Sequence, residues 1–284
     1  MRQIEDNIYL EDSFFGVTLG ALVFSHGIVL IDTPPKPEDA RSWRNNLQNL
    51  GTGIDRLLVY LDAHPDRTLG GHTIGCAAIA HEDTLRIFDH RSTVFRGQPS
   101  GTGAVWETCQ NMPNVRWHPP QITFSLNVYL QWGGYHVKIE HHRGPSPGAA
   151  WAVIPEAKIV FVGDTVVINQ PPFLHAANIP AWINSLSLLL KSFSDYTVIS
   201  GRGGLAAREV ILSQQRFLKE LQRRLDHLGR RKAPPEALEK LIPTLLSKFN
   251  FPGKYQDLYT NRIHSGLTQY YQRRYLPSAN PSYL

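Results

Sequence analysis

The chain alternates between short apolar runs and longer stretches with helical spacing. Up to about residue 201 the apolar runs are rich in Val, Ile, Leu and aromatic residues and are separated by Gly, Pro and Asp, which is typical of strands joined by turns. This pattern predicts strands within residues 20–32, 55–62, 84–89, 124–142, 149–164 and 196–201. Helical patterns fall between them, at residues 36–51, 77–83 and 179–193. The alternation predicts a layered α/β protein.

The pattern changes to long helices after Gly204. Residues 206–229 repeat apolar positions at steps of three or four and end at a glycine, which favours one long amphipathic helix. Further helical patterns cover residues 234–242 and 257–276. We therefore predict a first domain of residues 1–204 and a helical extension of residues 205–284, packed on the core or at a homodimer interface.

Composition and charge narrow the function classes. The 284 residues carry a formal net charge of +5, and the basic excess lies in residues 205–284. It is spread over amphipathic helices without an aromatic-interleaved basic motif, which disfavours nucleic-acid binding. The first residues lack the apolar run of a signal peptide and no segment has the composition of a membrane span, so we expect a cytoplasmic protein. Cys76 and Cys109 lack disulfide or zinc-site spacing.

Candidate chemistry is concentrated where one apolar strand stops. Residues 57–72 read LLVYLDAHPDRTLGGH, so that Asp62, His64 and Asp66 alternate at the strand end. An extended chain would place all three side chains on one side. That geometry can hold a cation.

The segment resembles the HxHxDH signature of the metallo-β-lactamase superfamily, which follows a strand and precedes a Gly-Gly turn. Similar pieces occur in the family's order at residues 30–40, 80–84, 143–155, 159–166 and 198–203. The resemblance implies an αββα sandwich of two mixed β-sheets flanked by helices. It also implies a site at one edge that usually holds two zinc, iron or manganese ions.

Within the signature this chain has DxHxDR. Asp62 stands where the family has its first histidine, and Arg67 stands where it has its last. His64 and Asp66 match the family's residues. The family's metal-binding residues are therefore only partly present in this segment.

Further changes follow downstream. Pro145 and Arg202 stand where the family has two later histidines, and Asp164 matches its bridging aspartate. Because a guanidinium cannot ligate a metal, the resemblance does not predict a two-metal site here. Asp62, His64 and Asp164 could still bind one ion such as Zn, Mn or Fe(II).

One hypothesis is accordingly a hydrolase with at most one metal ion. The metal would activate water against an ester, thioester or phosphoester, while Arg67 and Arg202 hold an anionic group of the substrate. Asp66 would orient the water or act as the general base. His142 could replace a lost metal ligand, and His175 could contact the substrate.

The alternative hypothesis needs no metal. Asp62, Asp66 and Asp164 against the two arginines leave a net charge of −1, so the cluster could satisfy itself with ion pairs. The protein would then be a catalytically inactive ligand-binding or regulatory module for a small, anionic molecule. The sequence leaves both hypotheses open.

Overall fold

The computed structural model describes residues 1–50, 53–109, 112 and 114–276. The strands are β1 Arg2–Glu5, β2 Ile8–Glu11, β3 Leu19–Val23, β4 Gly27–Ile31, β5 Asp55–Val59, β6 Ala77–His81, β7 Val94–Phe95, β8 Val115–Arg116, β9 Ile122–Phe124, β10 Asn127–Trp132, β11 Tyr135–His141, β12 Ala150–Ile154, β13 Ile159–Phe161 and β14 Thr197–Ile199. The helices are α1 Pro37–Gln48, α2 Pro65–Thr68, α3 Gly71–Ile74, α4 Glu82–Asp89, α5 Ile179–Ser192, α6 Arg208–Arg230, α7 Ile242–Leu246 and α8 Gln256–Tyr275. Short 3-10 turns occur at Val105–Thr108, Gly163–Thr165, Pro235–Leu241 and Gly253–Tyr255.

The strands form two large mixed sheets. The first has the order β1-β2-β3-β4-β5-β6-β9, antiparallel up to β4 and parallel from β4 onwards. The second has the order β10-β11-β12-β13-β14, in which only the last pair is parallel. Strands β7 and β8 form a separate antiparallel pair.

Alternation along the strands builds three apolar layers. In β12, Ala150, Ala152 and Ile154 pack between the two sheets, while Trp151 and Val153 pack against helices. Successive side chains of a strand point to opposite faces, so a strand buried on both sides reads as a continuous apolar run. Apolar layers lie between the sheets and under the helices on either side, which confirms the predicted αββα sandwich.

The predicted helices at residues 36–51, 179–193 and 206–229 are confirmed as α1, α5 and α6, although Gly51 lies outside the described residues. Helices α5 to α8 cover the outer face of the second sheet. Tyr259 and Tyr271 of α8 belong to the same apolar cluster as Trp151 of β12.

The extension also holds a loop of the sandwich. Gln214 of α6 accepts a hydrogen bond from Val167 N at 2.9 Å and donates to Thr165 O at 2.5 Å. The boundary at residue 204 stays a prediction, and residues 277–284 of the predicted extension lie outside the described residues. Among the helices described, none is long and apolar enough to cross a membrane.

Two local predictions were wrong and are exchanged in the structure. Within residues 77–83, predicted as helical, Ala77–His81 form β6, and residues 82–83 join residues 84–89, predicted as a strand, in α4. Strand β6 is buried among parallel neighbours, which suits its run of small apolar residues. Helix α4 is capped by His81, whose Nδ1 accepts a hydrogen bond from Asp83 N, and it buries Thr84 and Phe88 one turn apart.

Candidate functional site

The candidate site forms where parallel strands of both sheets end. Asp32 follows β4, and residues 60–64 lead from β5 into α2. Asp164 lies in the 3-10 turn after β13, and Arg202 follows β14. Because β4 pairs parallel with β5, and β13 with β14, the carboxyl ends of these strands lie at the same edge. This is how polar residues distant in sequence meet.

Arg67 joins three carboxylates from the two sheets. Its Nη1 donates to Asp32 Oδ2 at 2.5 Å, its Nη2 donates to Asp164 Oδ1, and its Nε lies 2.9 Å from Asp62 Oδ1. The side chain is fully buried. The guanidinium is therefore an internal counter-ion and does not line the cavity described below.

Arg202 makes a second internal bridge. Its Nη1 donates to Asp66 Oδ2 at 2.8 Å and to Gly16 O at 2.6 Å, and its Nη2 donates to Asp164 Oδ2 at 3.0 Å. Its Nε lies 3.0 Å from Asp164 Oδ1. Like Arg67, it is buried, and the Nε, Nη1 and Nη2 of Arg202 all donate within the protein.

Asp66 is enclosed by donors. Its Oδ1 accepts from Trp106 N at 2.8 Å, and its Oδ2 accepts from Val105 N at 2.9 Å and from Arg202. Burial by itself would raise the pKa of Asp66, but the charge of Arg202 and these hydrogen bonds lower it below its ordinary value. Asp66 is fully buried and is not among the residues that line the cavity. This geometry does not favour the predicted role of general base.

The remaining carboxyls differ in protonation. Burial raises the pKa of Asp32 to about 7, against the opposing charge of Arg67, and it also raises the pKa of Asp62. For Asp164, Arg202 and Arg67 outweigh burial and hold the pKa well below its usual range. Sequence reasoning did not assign Asp32 to the site, although it ends the apolar run of β4. The cluster thus has four carboxylates against two bridging arginines.

His64 is held as a neutral imidazole. Its Nδ1 accepts a hydrogen bond from Asp66 N at 3.1 Å and lies 3.3 Å from Arg202 Nη2, which places its ring proton on Nε2. Burial, reinforced by the nearby arginines, lowers the pKa of His64 to about 3. Its ring packs on Phe173 with centroids 4.3 Å apart. His64 can offer a hydrogen-bond donor but is a poor base near neutral pH.

The other two predicted histidines lie in different surroundings. His142 stacks on Trp151 with ring centroids 3.7 Å apart, and its Nε2 lies 3.4 Å from Glu140. It does not line the cavity, so the structure does not bring it to the cluster as a replacement ligand. His175 is exposed and does line the cavity, as the substrate-contact prediction requires.

A cavity of about 340 Å³ opens beside the cluster. Asp62, His64 and Asp164 line one side of it, and side chains of α8 line another. Most other lining residues are apolar, among them Trp106 and Phe173. The volume falls within the range of small-molecule sites. The predicted ligand residues therefore face a space that can hold a small molecule.

The donor set does not fit a metal ion at the predicted position. Guanidinium nitrogens already lie at hydrogen-bond distance from carboxylate oxygens of Asp62 and Asp164, where a metal would have to bind. Across the described residues, the ligand atoms of Asp62, His64 and Asp164 are not gathered within 4.8 Å of one another. Binding one ion would require both arginines to move.

A different group is a possible metal site. His81, Asp83 and His141 each offer one ligand atom, and these atoms lie within 4.8 Å of one another. However, His81 Nδ1 accepts from Asp83 N, and its Nε2 donates to Ser125 O at 2.9 Å. His141 Nε2 donates to Pro147 O at 2.8 Å. A metal there would have to displace bonds that fix the start of α4.

Comparison with known proteins supports the fold. No family model matches the sequence, and no curated protein sequence matches it. Among solved structures, a metallo-β-lactamase from Pontibacter korlensis superposes with a TM-score of 0.62 at 16% identity, covering 77% of this chain and 97% of that one. The stereoselective inverting sec-alkylsulfatase Pisa1 from Pseudomonas sp. gives a TM-score of 0.69 at 15% identity, covering 96% of this chain and 49% of the sulfatase. This protein therefore has the metallo-β-lactamase fold, and at such identity the likeness shows the fold alone.

Proposed function

We propose that this protein is a metal-independent member of the fold that binds a small molecule in the cavity beside the arginine–aspartate cluster. The observation that carries the proposal is the position of Arg67 and Arg202. Their guanidiniums lie among the same carboxylates that the resemblance assigns to metal binding.

The electrostatics support this function. A buried carboxylate is stable only when it is paired and hydrogen-bonded. Asp164 forms ion pairs with both arginines, Asp62 pairs with Arg67, and Asp66 pairs with Arg202. The arginines thus supply the positive charge that a cation would otherwise provide. In this arrangement the cluster is a structural element, and the cavity beside it binds the ligand.

The competing hypothesis is the hydrolase with one metal ion. It requires the Asp62 and Asp164 oxygens to exchange a guanidinium for a metal, and it requires a base. Neither His64, with its lowered pKa, nor Asp66, with both oxygens occupied, favours that role. These contacts lead us to prefer the metal-free binding function.

Metal analysis distinguishes the two functions. Protein purified without chelator is expected to contain less than about a tenth of an equivalent of Zn, Mn or Fe, and its melting temperature is expected to be the same with excess EDTA or excess Zn. The matched variant is His64→Gln, whose metal content should equal that of the wild type. Stoichiometric metal in the wild type, lost in His64→Gln together with hydrolysis of nitrophenyl acetate, would establish the hydrolase instead.

A further inference from the structure

The cavity contains buried donors that the protein leaves unused. Within the described residues, the buried side-chain atoms Arg91 Nη1, Arg262 Nη2 and Ser146 Oγ have no hydrogen-bond partner, and all three side chains line the cavity. Buried polar groups are normally paired, so each such atom requires an explanation. Three of them around one cavity indicate a missing acceptor.

Both arginines are anchored by hydrogen bonds and aromatic contacts. Arg91 donates to Ala63 O at 2.5 Å, and its guanidinium lies over the rings of Phe88 and Trp117. It follows α4 directly, whereas Arg262 belongs to α8. Two segments far apart in sequence therefore each contribute an arginine to the lining of the cavity.

Arg262 is anchored at the other side. Its Nε donates to Gly103 O at 2.9 Å, and its Nη1 donates to Gln170 Oε1 at 2.9 Å. Its guanidinium lies 4.0 Å from the centre of the Phe173 ring. These contacts use the other nitrogens and leave Nη2 buried without a partner, so a ligand in the cavity would reach it after a shift of the side chain.

Neither arginine has a carboxylate partner. Across the described residues, no Asp or Glu oxygen lies within 4.0 Å of Arg91 or Arg262, in contrast to Arg67 and Arg202. Burial lowers the pKa of Arg91 to about 10 and that of Arg262 to about 9, so both remain charged at neutral pH. Asp62 and Asp164 also line the cavity, but they are already paired. Together with Arg67 and Arg202, these two arginines equal the four carboxylates of the cluster in number, so what Arg91 Nη1 and Arg262 Nη2 lack is a hydrogen-bond acceptor.

We infer that the cavity binds a small molecule with one oxyanion group, a carboxylate or a phosphate, and an apolar body. The oxyanion would accept hydrogen bonds from Arg91, Arg262 and Ser146, and the apolar body would pack on Trp106 and Phe173. This inference rests on the proposed binding function and specifies its ligand. Arg91, Arg262 and Ser146 would then bind the anion, in place of Arg67 and Arg202 to which the sequence hypothesis assigned this role.

The test is titration calorimetry with benzoate, phenyl phosphate, inorganic phosphate and uncharged benzamide, at fixed ionic strength and with excess EDTA. Benzoate or phenyl phosphate should bind the wild type, and whichever binds more tightly identifies the oxyanion. Benzamide should bind at least about tenfold more weakly, because it lacks the charge that strengthens hydrogen bonds to arginine. Inorganic phosphate should also bind more weakly, because it buries no apolar surface.

Two variants locate the anion. Ser146→Ala removes an unpaired hydroxyl, so it should leave the melting temperature unchanged while weakening anion binding about tenfold. Arg91→Gln should weaken it about tenfold to a hundredfold. The exposed neighbours Ser92→Ala and Arg86→Gln are the matched controls and should bind as the wild type does. Arg262 is left intact because it also anchors Gly103.

Several results would overturn the inference. These are absence of binding by both aromatic anions, equal binding of benzamide and benzoate, tighter binding of inorganic phosphate than of either aromatic anion, or unchanged affinity in Ser146→Ala and Arg91→Gln. The readout is independent of metal content. If the wild type proves to hold stoichiometric metal, the proposed function fails, yet the same variants still decide whether these donors bind an anion.

Discussion

Replacing Arg67 by methionine removes the central charge of the cluster. Arg67 contacts Asp32, Asp62 and Asp164, and it is fully buried. Methionine fills most of the same volume without a charge. In the variant Asp164 keeps Arg202, but no other guanidinium of the described residues lies within 4.0 Å of Asp32 or Asp62.

The expected cost follows from buried ion pairs. Removing one partner of such a pair typically destabilises a protein by about 3–5 kcal/mol, because an uncompensated charge stays buried. That loss corresponds to a fall of roughly 10 °C in melting temperature for a domain of this size. The free carboxyls can lower the cost by taking up protons, and the pKa of Asp32 is already about 7.

The pH dependence has a definite sign. Without Arg67 the pKa values of Asp32 and Asp62 in the folded state rise further above their values in the unfolded state. At any pH between the unfolded-state and folded-state pKa values, the folded state therefore binds more protons than the unfolded state. The stability of the variant must then fall as pH rises through that interval, and its deficit against wild type should be larger at about pH 8 than at about pH 6.

Urea denaturation at the two pH values measures both effects. Arg67→Lys keeps the charge but cannot bridge three carboxylates, so it should be intermediate. The exposed Arg86→Met serves as the matched control and should change stability by less than about 0.5 kcal/mol. A stability of Arg67→Met within about 1 kcal/mol of wild type at both pH values would refute the counter-ion role.

Three further changes test other parts of the structure. His64 is neutral when folded, with a pKa of about 3, and takes up a proton when unfolded, so its contribution is complete above about pH 6.5 and is lost as pH falls. Between about pH 7 and about pH 5 the stability of the wild type in urea denaturation should therefore fall by about 2 kcal/mol relative to that of His64→Gln, a difference that cancels the proton uptake of Asp32 common to both proteins. An equal pH dependence of the two proteins would contradict the buried neutral state. Gln214→Ala leaves Val167 N and Thr165 O without their partner and should cost about 2 kcal/mol by the same assay, whereas a neutral effect would mean that α6 does not hold this loop. A chain ending at Gly204 exposes the outer face of the second sheet and should show no cooperative thermal transition; a sharp transition would instead make residues 1–204 an independent domain.

Much of the candidate site could be predicted from the sequence. The interrupted strand and its downstream partners identified Asp62, His64, Asp66, Arg67, Asp164 and Arg202, and the structure brings these residues together. Polar residues that directly follow apolar strand patterns can be recognised in the sequence, and the ends of parallel strands lie at the same edge of a sheet. Residues of this kind can therefore be expected to lie together. The function assigned to the arginines stays open in the sequence, because a guanidinium can bind an internal carboxylate or a ligand equally well.

Other residues of the site could not be found in this way. Asp32 joins Arg67 through the parallel pairing of β4 and β5, which no local pattern specifies. Arg91 lies just after α4 and Arg262 lies on α8, where the sequence pattern indicates packing only, and their unused donors become evident when both residues line one cavity.

The sequence by itself determined the layered arrangement and the long helices, because period-two and period-3.6 patterns follow directly from backbone geometry. It did not determine that residues 77–81 form a strand and 82–89 a helix, since short apolar runs suit either conformation and burial among neighbours decides. The tertiary structure also decided which arginines form ion pairs with carboxylates and which keep a donor without a hydrogen-bond partner. That distinction depends on the distances between side chains far apart in sequence, because the energy of a buried ion pair depends on the distance between its charges.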